Sequence, residues 1–288
     1  MAKATKKKVT GKRTAKKKVA RKKPTSKITA ANADRHELYE QSVQCPEADV
    51  RFLTRVFRKL RGRVPLTLRE DFGGTSLLCA EWVKSRRDRE AWSVDLDTEV
   101  LEWGRRRNIE PLGPKADRVH LIEGNVLTPR KPLVDVQVGF NFSYCIFHDR
   151  PTLLKYFTAA RKSLKEDGLY LIDIHGGPEA FDALSEDKKF PDFKYVWEQG
   201  DFSPITHHRV SRIHFHFPDG TRIEDAFVYD WRVWTCPELR DLMAEAGFKK
   251  TLVYWEGTDS EGEGNGIYTE TQEGENDPSW IAYIVAIK

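Results

Sequence analysis

The chain has 288 residues, 48 Lys and Arg against 44 Asp and Glu, 39% hydrophobic and 11% aromatic residues, and a mean hydropathy of −0.60. That is enough for one sizeable α/β domain with appended segments. No apolar run approaches the roughly 18 residues a bilayer span needs, and the N-terminus lacks the apolar core of a secretory signal. Cys45, Cys79, Cys145 and Cys236 form no C-x-x-C pair, which speaks against a disulfide framework or a zinc site, so the expectation is a soluble, cytoplasmic protein with no membrane partner.

The charge is unevenly placed. Residues 1–27 hold 11 Lys and 2 Arg with no acidic residue, so the remaining 261 carry 35 basic and 44 acidic groups. Like charges at that density do not collapse, and residues 1–28 read as a disordered basic arm. Such an arm suits non-specific contact with nucleic acid or another polyanion, a solubilising tail, or nuclear targeting in a eukaryote. Residues 29–64 read as a helical segment with Tyr39 and Gln44 in a lid. Within it, Pro46, Glu47 and Asp49 start a helix that runs with apolar Val50, Leu53, Val56, Phe57 and Leu60 to Gly62.

From Pro65 strands and helices alternate, which predicts a parallel sheet covered on both faces. Strands are expected at 65–69, 91–94, 119–123, 134–140 and 168–174, with helices at 76–85, 98–108 and 152–164. Residues 178–234 then change character, reading as an inserted β-hairpin about Pro218-Asp219-Gly220 that covers a substrate. A helix from Pro237 to Gly247 and two last strands follow. Between those strands the acidic residues 258–277 read as a solvated loop lacking the spacing of a calcium site. The histidines 207, 208, 214 and 216 read as an ordinary hairpin, and no metal is expected.

The stretch "LREDFGGTSLLCAEWV" leads a strand into a helix through a turn, where free amides and the helix dipole favour an anionic group. Asp95, 21 residues after Gly74, is placed to grip ribose hydroxyls. Together these features imply a nucleoside cofactor.

At this point the chain resembles the class I S-adenosylmethionine-dependent methyltransferases, from about Leu66 to Lys288. That family writes the turn roughly as E/D-x-G-x-G-x-G. One register sets Glu70 on the acid and Phe72, Gly74 and Ser76 on the glycines; another, one residue later, starts at Asp71. The resemblance implies a Rossmann-like doubly wound α/β fold whose seven-stranded, mostly parallel sheet ends in an antiparallel strand. It also implies S-adenosyl-L-methionine as cofactor, held by Glu70, Phe72, Gly73, Gly74, Thr75, Asp95, Leu96, Asn125, Val126 and Asn141. A turn with few glycines suits a ligand without phosphates.

"NFSY", Asn141 to Tyr144, lies where the methyl group is expected. It lacks the prolines of D/N-P-P-Y/F, which argues against a nucleic-acid amino-methylase. Tyr144, His148 and Asp173 are the candidate catalytic residues, with His175 beside them. The expected activity is in-line methyl transfer to an unidentified small-molecule or protein acceptor. A dinucleotide-dependent oxidoreductase and a nucleic-acid-associated binding protein with a degenerate cofactor fold are the alternatives.

Overall fold

The computed structural model describes residues 28–260 and 264–288, so the basic arm, apart from Ile28, lies outside the described residues. Two helices come first, α1 (Arg35–Val43) and α2 (Pro46–Arg61). Acidic residues open α2, Arg58, Lys59 and Arg61 close it, and Gly62 ends it at φ 69°. Its apolar stripe, Val50, Phe52, Leu53, Val56 and Phe57, is buried against the central sheet.

The alternating region forms β1 (Thr67–Asp71), α3 (Leu77–Ser85), β2 (Glu90–Asp95), α4 (Thr98–Gly104), β3 (Val119–Glu123), β4 (Val134–Gly139), α5 (Arg150–Lys162) and β5 (Leu164–Gly176). Next come β6 (Leu184–Lys189), β7 (Lys194–Gln199), β8 (His208–His216) and β9 (Arg222–Arg232). The chain ends with α6 (Cys236–Glu245), β10 (Lys250–Thr258), β11 (Gly264–Thr271) and β12 (Trp280–Ile287).

The main sheet runs β11-β10-β12-β5-β4-β1-β2-β3. Strands β1 to β5 are parallel, while β12 enters antiparallel between β5 and β10. β4 (VDVQVG) is buried at every position, as a strand covered on both faces should be, and it alternates valines with the buried polar side chains of Asp135 and Gln137. Succession reverses at β1, with β2 on one side and β4 on the other. The crevice outside the carboxyl ends of such neighbours is where ligands of open α/β sheets bind.

Two expectations need correction. The main sheet has eight strands rather than seven, because part of the acidic stretch read as a loop forms β11 on the edge of β10. The inserted hairpin is a four-stranded antiparallel sheet, β6-β7-β8-β9. Both additions are polar edge strands: β11 and β6 are almost wholly exposed, and charge on an edge discourages pairing with other chains. That same charge hides the strand signal.

At the opposite, amino end of the sheet, the Asp135 side chain is fully buried. It accepts hydrogen bonds from Arg63 Nη2 (2.7 Å), Lys165 Nζ (3.0 Å), the amides of Leu66 (2.8 Å) and Thr67 (3.0 Å), and Thr67 Oγ1 (3.0 Å). One carboxylate thus joins β1, β4, β5 and the α2–β1 connection.

Candidate active site

The turn after β1 is left-handed at Phe72 (φ 57°), Gly74 (φ 50°) and Ser76 (φ 59°). These are the three positions that the register from Glu70 assigns to glycine, so the backbone matches that register although two side chains do not. Holding non-glycine residues there costs about 1–3 kcal/mol each, and such strain gathers at ligand sites. The Phe72 ring does not block the turn; it packs inward against Phe147 and Tyr156. Ser76 is fully buried, its Oγ 2.8 Å from that of Ser93.

Gly73 has a different constraint. A Cβ there would overlap the Oγ of Ser93 on β2. Gly73→Ala is therefore expected to cost about 2 kcal/mol in chemical denaturation, the scale of overpacking in a tight core. Adding Ser93→Ala should recover part of that loss; no recovery would place the strain elsewhere.

Asp95 ends β2 beside this turn. Its Oδ2 accepts the Gly74 amide at 2.8 Å and its Oδ1 the Asp97 amide at 3.0 Å. Next to it Leu96 stands 66% exposed, an apolar face with nothing packed on it. The amide of Gly124 reaches the Asp95 carbonyl at 2.8 Å, which brings Asn125 and Val126 alongside. Val126 leans on the core, while Asn125 is exposed with its Oδ1 accepting the Leu127 amide.

Buried carboxyl groups stand near the carboxyl ends of β1 and β5. Glu70 is 5% exposed with Oε2 unpartnered among the described residues, and burial pushes it up to about 8 against hydrogen bonds with Cys79. Burial likewise raises Asp71 to about 6, although Gln137 and Tyr156 donate to it. Asp173 rises to about 7, again chiefly through burial. The folded protein keeps these protons at pH values where the unfolded chain has lost them, so it binds more protons and stability falls as pH rises. We expect the melting temperature of the free protein to decline from about pH 5 to about pH 8 and then level, with Glu70→Gln flattening the upper part. A stability that climbs through that window would contradict the assignment.

The catalytic candidates separate. Asp173 spends one oxygen on the Asn141 amide (2.8 Å) and the other on that of Phe142 (3.0 Å), holding two successive left-handed residues at the end of β4. It positions the mouth of the sheet. Tyr144 is fully buried and donates to the Asp173 carbonyl at 3.0 Å, and burial raises its pKa far above the usual value, so the phenol keeps its proton. His148 lies outside the cavity that Tyr144 lines, with Nε2 2.8 Å from the Asp230 carbonyl and its ring 4.2 Å from that of His208. Ligand atoms of His148, His208 and Asp230 lie within 4.8 Å of one another, but Arg232 bonds the His148 carbonyl and sets a positive charge beside any cation there.

The sequence reading missed most of the neighbouring cavity, which measures about 250 Å³. Asn141, Phe142, Tyr144 and His175 form its floor, and the inner face of the four-stranded sheet forms its roof. Residues two or four apart along all four strands reach it: Leu184 and Glu186; Tyr195, Trp197 and Gln199; Arg209 and Ile213; Tyr229 and Trp231. Tyr39 and Val43 of α1 close one side. Gln44, also placed in the lid, has a buried side-chain oxygen. His175 is pushed down to about 4 by burial and is neutral at pH 7, with Nε2 3.0 Å from Ser279 Oγ. The period-2 pattern of "KYVWEQ" was the available signal for this wall.

No family model matches the sequence, and no curated protein does. Solved structures do match. A S-adenosylmethionine-dependent methyltransferase from Clostridium acetobutylicum superposes with a TM-score of 0.63 at 15% identity, covering 88% of this chain and 96% of that one. An amino pentose methyltransferase from Micromonospora echinaspora, solved with SAM bound, gives 0.63 at 13% identity over 88% and 95%. A sugar N-methyltransferase from a Streptoalloteichus species gives 0.60 at 15% identity over 96% and 99%. At these identities the likeness establishes the fold, which is the Rossmann-like α/β fold of these methyltransferases.

Proposed function

We propose that the protein transfers a methyl group from S-adenosylmethionine to a small acceptor seated in the cavity beneath the four-stranded sheet. The observation that carries this reading is the set of carboxyl groups near the carboxyl ends of β1, β2 and β5, Glu70, Asp71, Asp95 and Asp173, with the Gly74 amide of the turn already bonded to one of them. Such carboxyls suit a ligand carrying positive charge, which favours their ionised form, whereas a pyrophosphate would hold them protonated and gains nothing from them, which disfavours the dinucleotide alternative.

The residues present fit the donor. Asp95 keeps lone pairs for ribose hydroxyls, exposed Leu96 and half-buried Val126 offer apolar faces to a purine, and buried Glu70 Oε2 lacks a partner among the described residues, with Thr75 buried in the turn that follows. Asn125 and Asn141 stand at the flanks, and Phe72, Gly73 and Gly74 shape the turn.

When bound, the donor supplies an activated methyl group on sulfur. The chain's part is alignment in a dry pocket, and oriented reactants alone supply roughly 7–11 kcal/mol. Asp173 fixes the Asn141–Phe142 turn between donor and acceptor spaces. His175 is neutral and a weak base, so a nucleophile with a free lone pair, such as an uncharged amine, needs least help. The structural neighbours include an amino pentose methyltransferase and a sugar N-methyltransferase, which supports a small-molecule substrate.

Thermal melts test the reading. S-adenosylhomocysteine should raise the melting temperature while NAD leaves it unchanged. The reverse pattern would overturn it.

A further inference from the structure

We infer that the acceptor carries a carboxylate, anchored by Arg209 and the indole N–H of Trp231 in the roof of the cavity. This deepens the proposed methyl transfer and rests on it for the identity of the bound molecule as acceptor.

Arg209 is 3% exposed, yet no described carboxylate forms an ion pair with it. Its Nε donates to Ser211 Oγ and its Nη1 to the Ala180 carbonyl, which leaves Nη2 with no hydrogen-bond partner among the described residues. Burial lowers its pKa below the usual guanidinium range, against a smaller opposing effect of the Cys145 thiol, and no Asp or Glu contributes to the shift. A buried guanidinium without a counter-ion is costly, and a bound anion removes that cost.

The second donor stands next to it. Arg209 and Trp231 are paired directly across β8 and β9, so their side chains share one face. Trp231 is 6% exposed and its Nε1 has no partner among the described residues. Both residues, one charged and one with an unpaired indole N–H, line a cavity otherwise walled by Tyr39, Tyr195, Trp197 and Tyr229. The carboxylates in the same lining, Glu179 and Glu186, are part-exposed and exposed. The arrangement fits a small, flat, anionic molecule: charge-assisted hydrogen bonds at one end and aromatic faces along its length. A carboxylate held this way is neutralised and makes a poor nucleophile, so the methyl group goes to another atom of the molecule.

The test uses purified full-length protein and three probes of one size, benzoate, benzamide and benzylamine, followed by ligand-observed NMR and tryptophan fluorescence. Benzoate should bind at least tenfold tighter than benzamide. Arg209→Gln should remove that preference, Arg209→Lys should keep part of it, and Trp231→Phe should weaken benzoate more than benzamide. If Arg209 served only to tie down the Ala180 carbonyl, Arg209→Gln would lower the melting temperature and leave the preference as it was. Equal binding of benzoate and benzamide, binding of none of the three, or tighter binding of benzylamine would overturn the inference. The probes are read without the methyl donor, so failure here is distinguishable from failure to bind S-adenosylmethionine.

Discussion

Asp135→Ala is expected to destabilise the fold by about 3 kcal/mol in urea titration while leaving affinity for the methyl donor unchanged. The magnitude comes from the backbone rather than from the salt bridges. Arg63 and Lys165 have side chains 40% and 39% exposed and regain water when the carboxylate goes, so each ion pair contributes under about 1 kcal/mol. The amides of Leu66 and Thr67 have no such alternative at the start of β1, and an unsatisfied buried donor costs about 1–3 kcal/mol. Lys165→Met should therefore be nearly silent. If it proved as damaging as Asp135→Ala, the attribution would be wrong.

The same carboxylate sets an acid limit. Burial alone would raise its pKa, but hydrogen bonds from Arg63, Leu66, Lys165 and Thr67 outweigh burial and hold it down at about 2. With the folded-state pKa below that of the unfolded chain, the contribution is complete above about pH 4 and disappears as pH falls toward 2. That window does not overlap the one governed by Glu70 and Asp173, so two separate slopes should appear in a stability profile.

Asp95→Ala makes the opposite expectation: little change in melting temperature and a loss of at least tenfold in donor affinity, about 1.4 kcal/mol or more. Asp95 is part-exposed and makes two hydrogen bonds with backbone amides of its own edge, which water replaces readily. Hydrogen bonds from a carboxylate to ligand hydroxyls are charge-assisted and are not replaced when the site is shielded. Asp95→Asn should fall between, keeping the shape and losing the charge. Calorimetry on both variants, beside Asp135→Ala, separates a residue that holds the ligand from one that holds the sheet.

Much of the frame could be read before the structure. Strands β1 to β5 are segments rich in valine, leucine and isoleucine interspersed with polar residues and separated by helices and turns, and their positions agree with the expected ones to within a few residues. The register from Glu70 was legible from spacing, and the left-handed backbone at Phe72 and Ser76 explains why two non-glycine residues sit at glycine positions: the ring of one and the hydroxyl of the other are satisfied inside. The edge strands β6 and β11 were not legible, since exposed polar residues such as Ser185, Glu186 and Asp187 read as loop. His148 looked catalytic from its place after "NFSY", yet its ring reaches the Asp230 carbonyl and does not line the cavity. The cavity itself depends on β7, β8 and β9 folding over α1 and β4, a long-range arrangement that local pattern does not encode.

Calorimetric titration of S-adenosylmethionine into the wild-type protein tests the central claim most directly. The account predicts one site with micromolar dissociation, about −8 kcal/mol, and no heat from nicotinamide dinucleotides. Saturable binding of a nicotinamide dinucleotide with none of S-adenosylmethionine would contradict it.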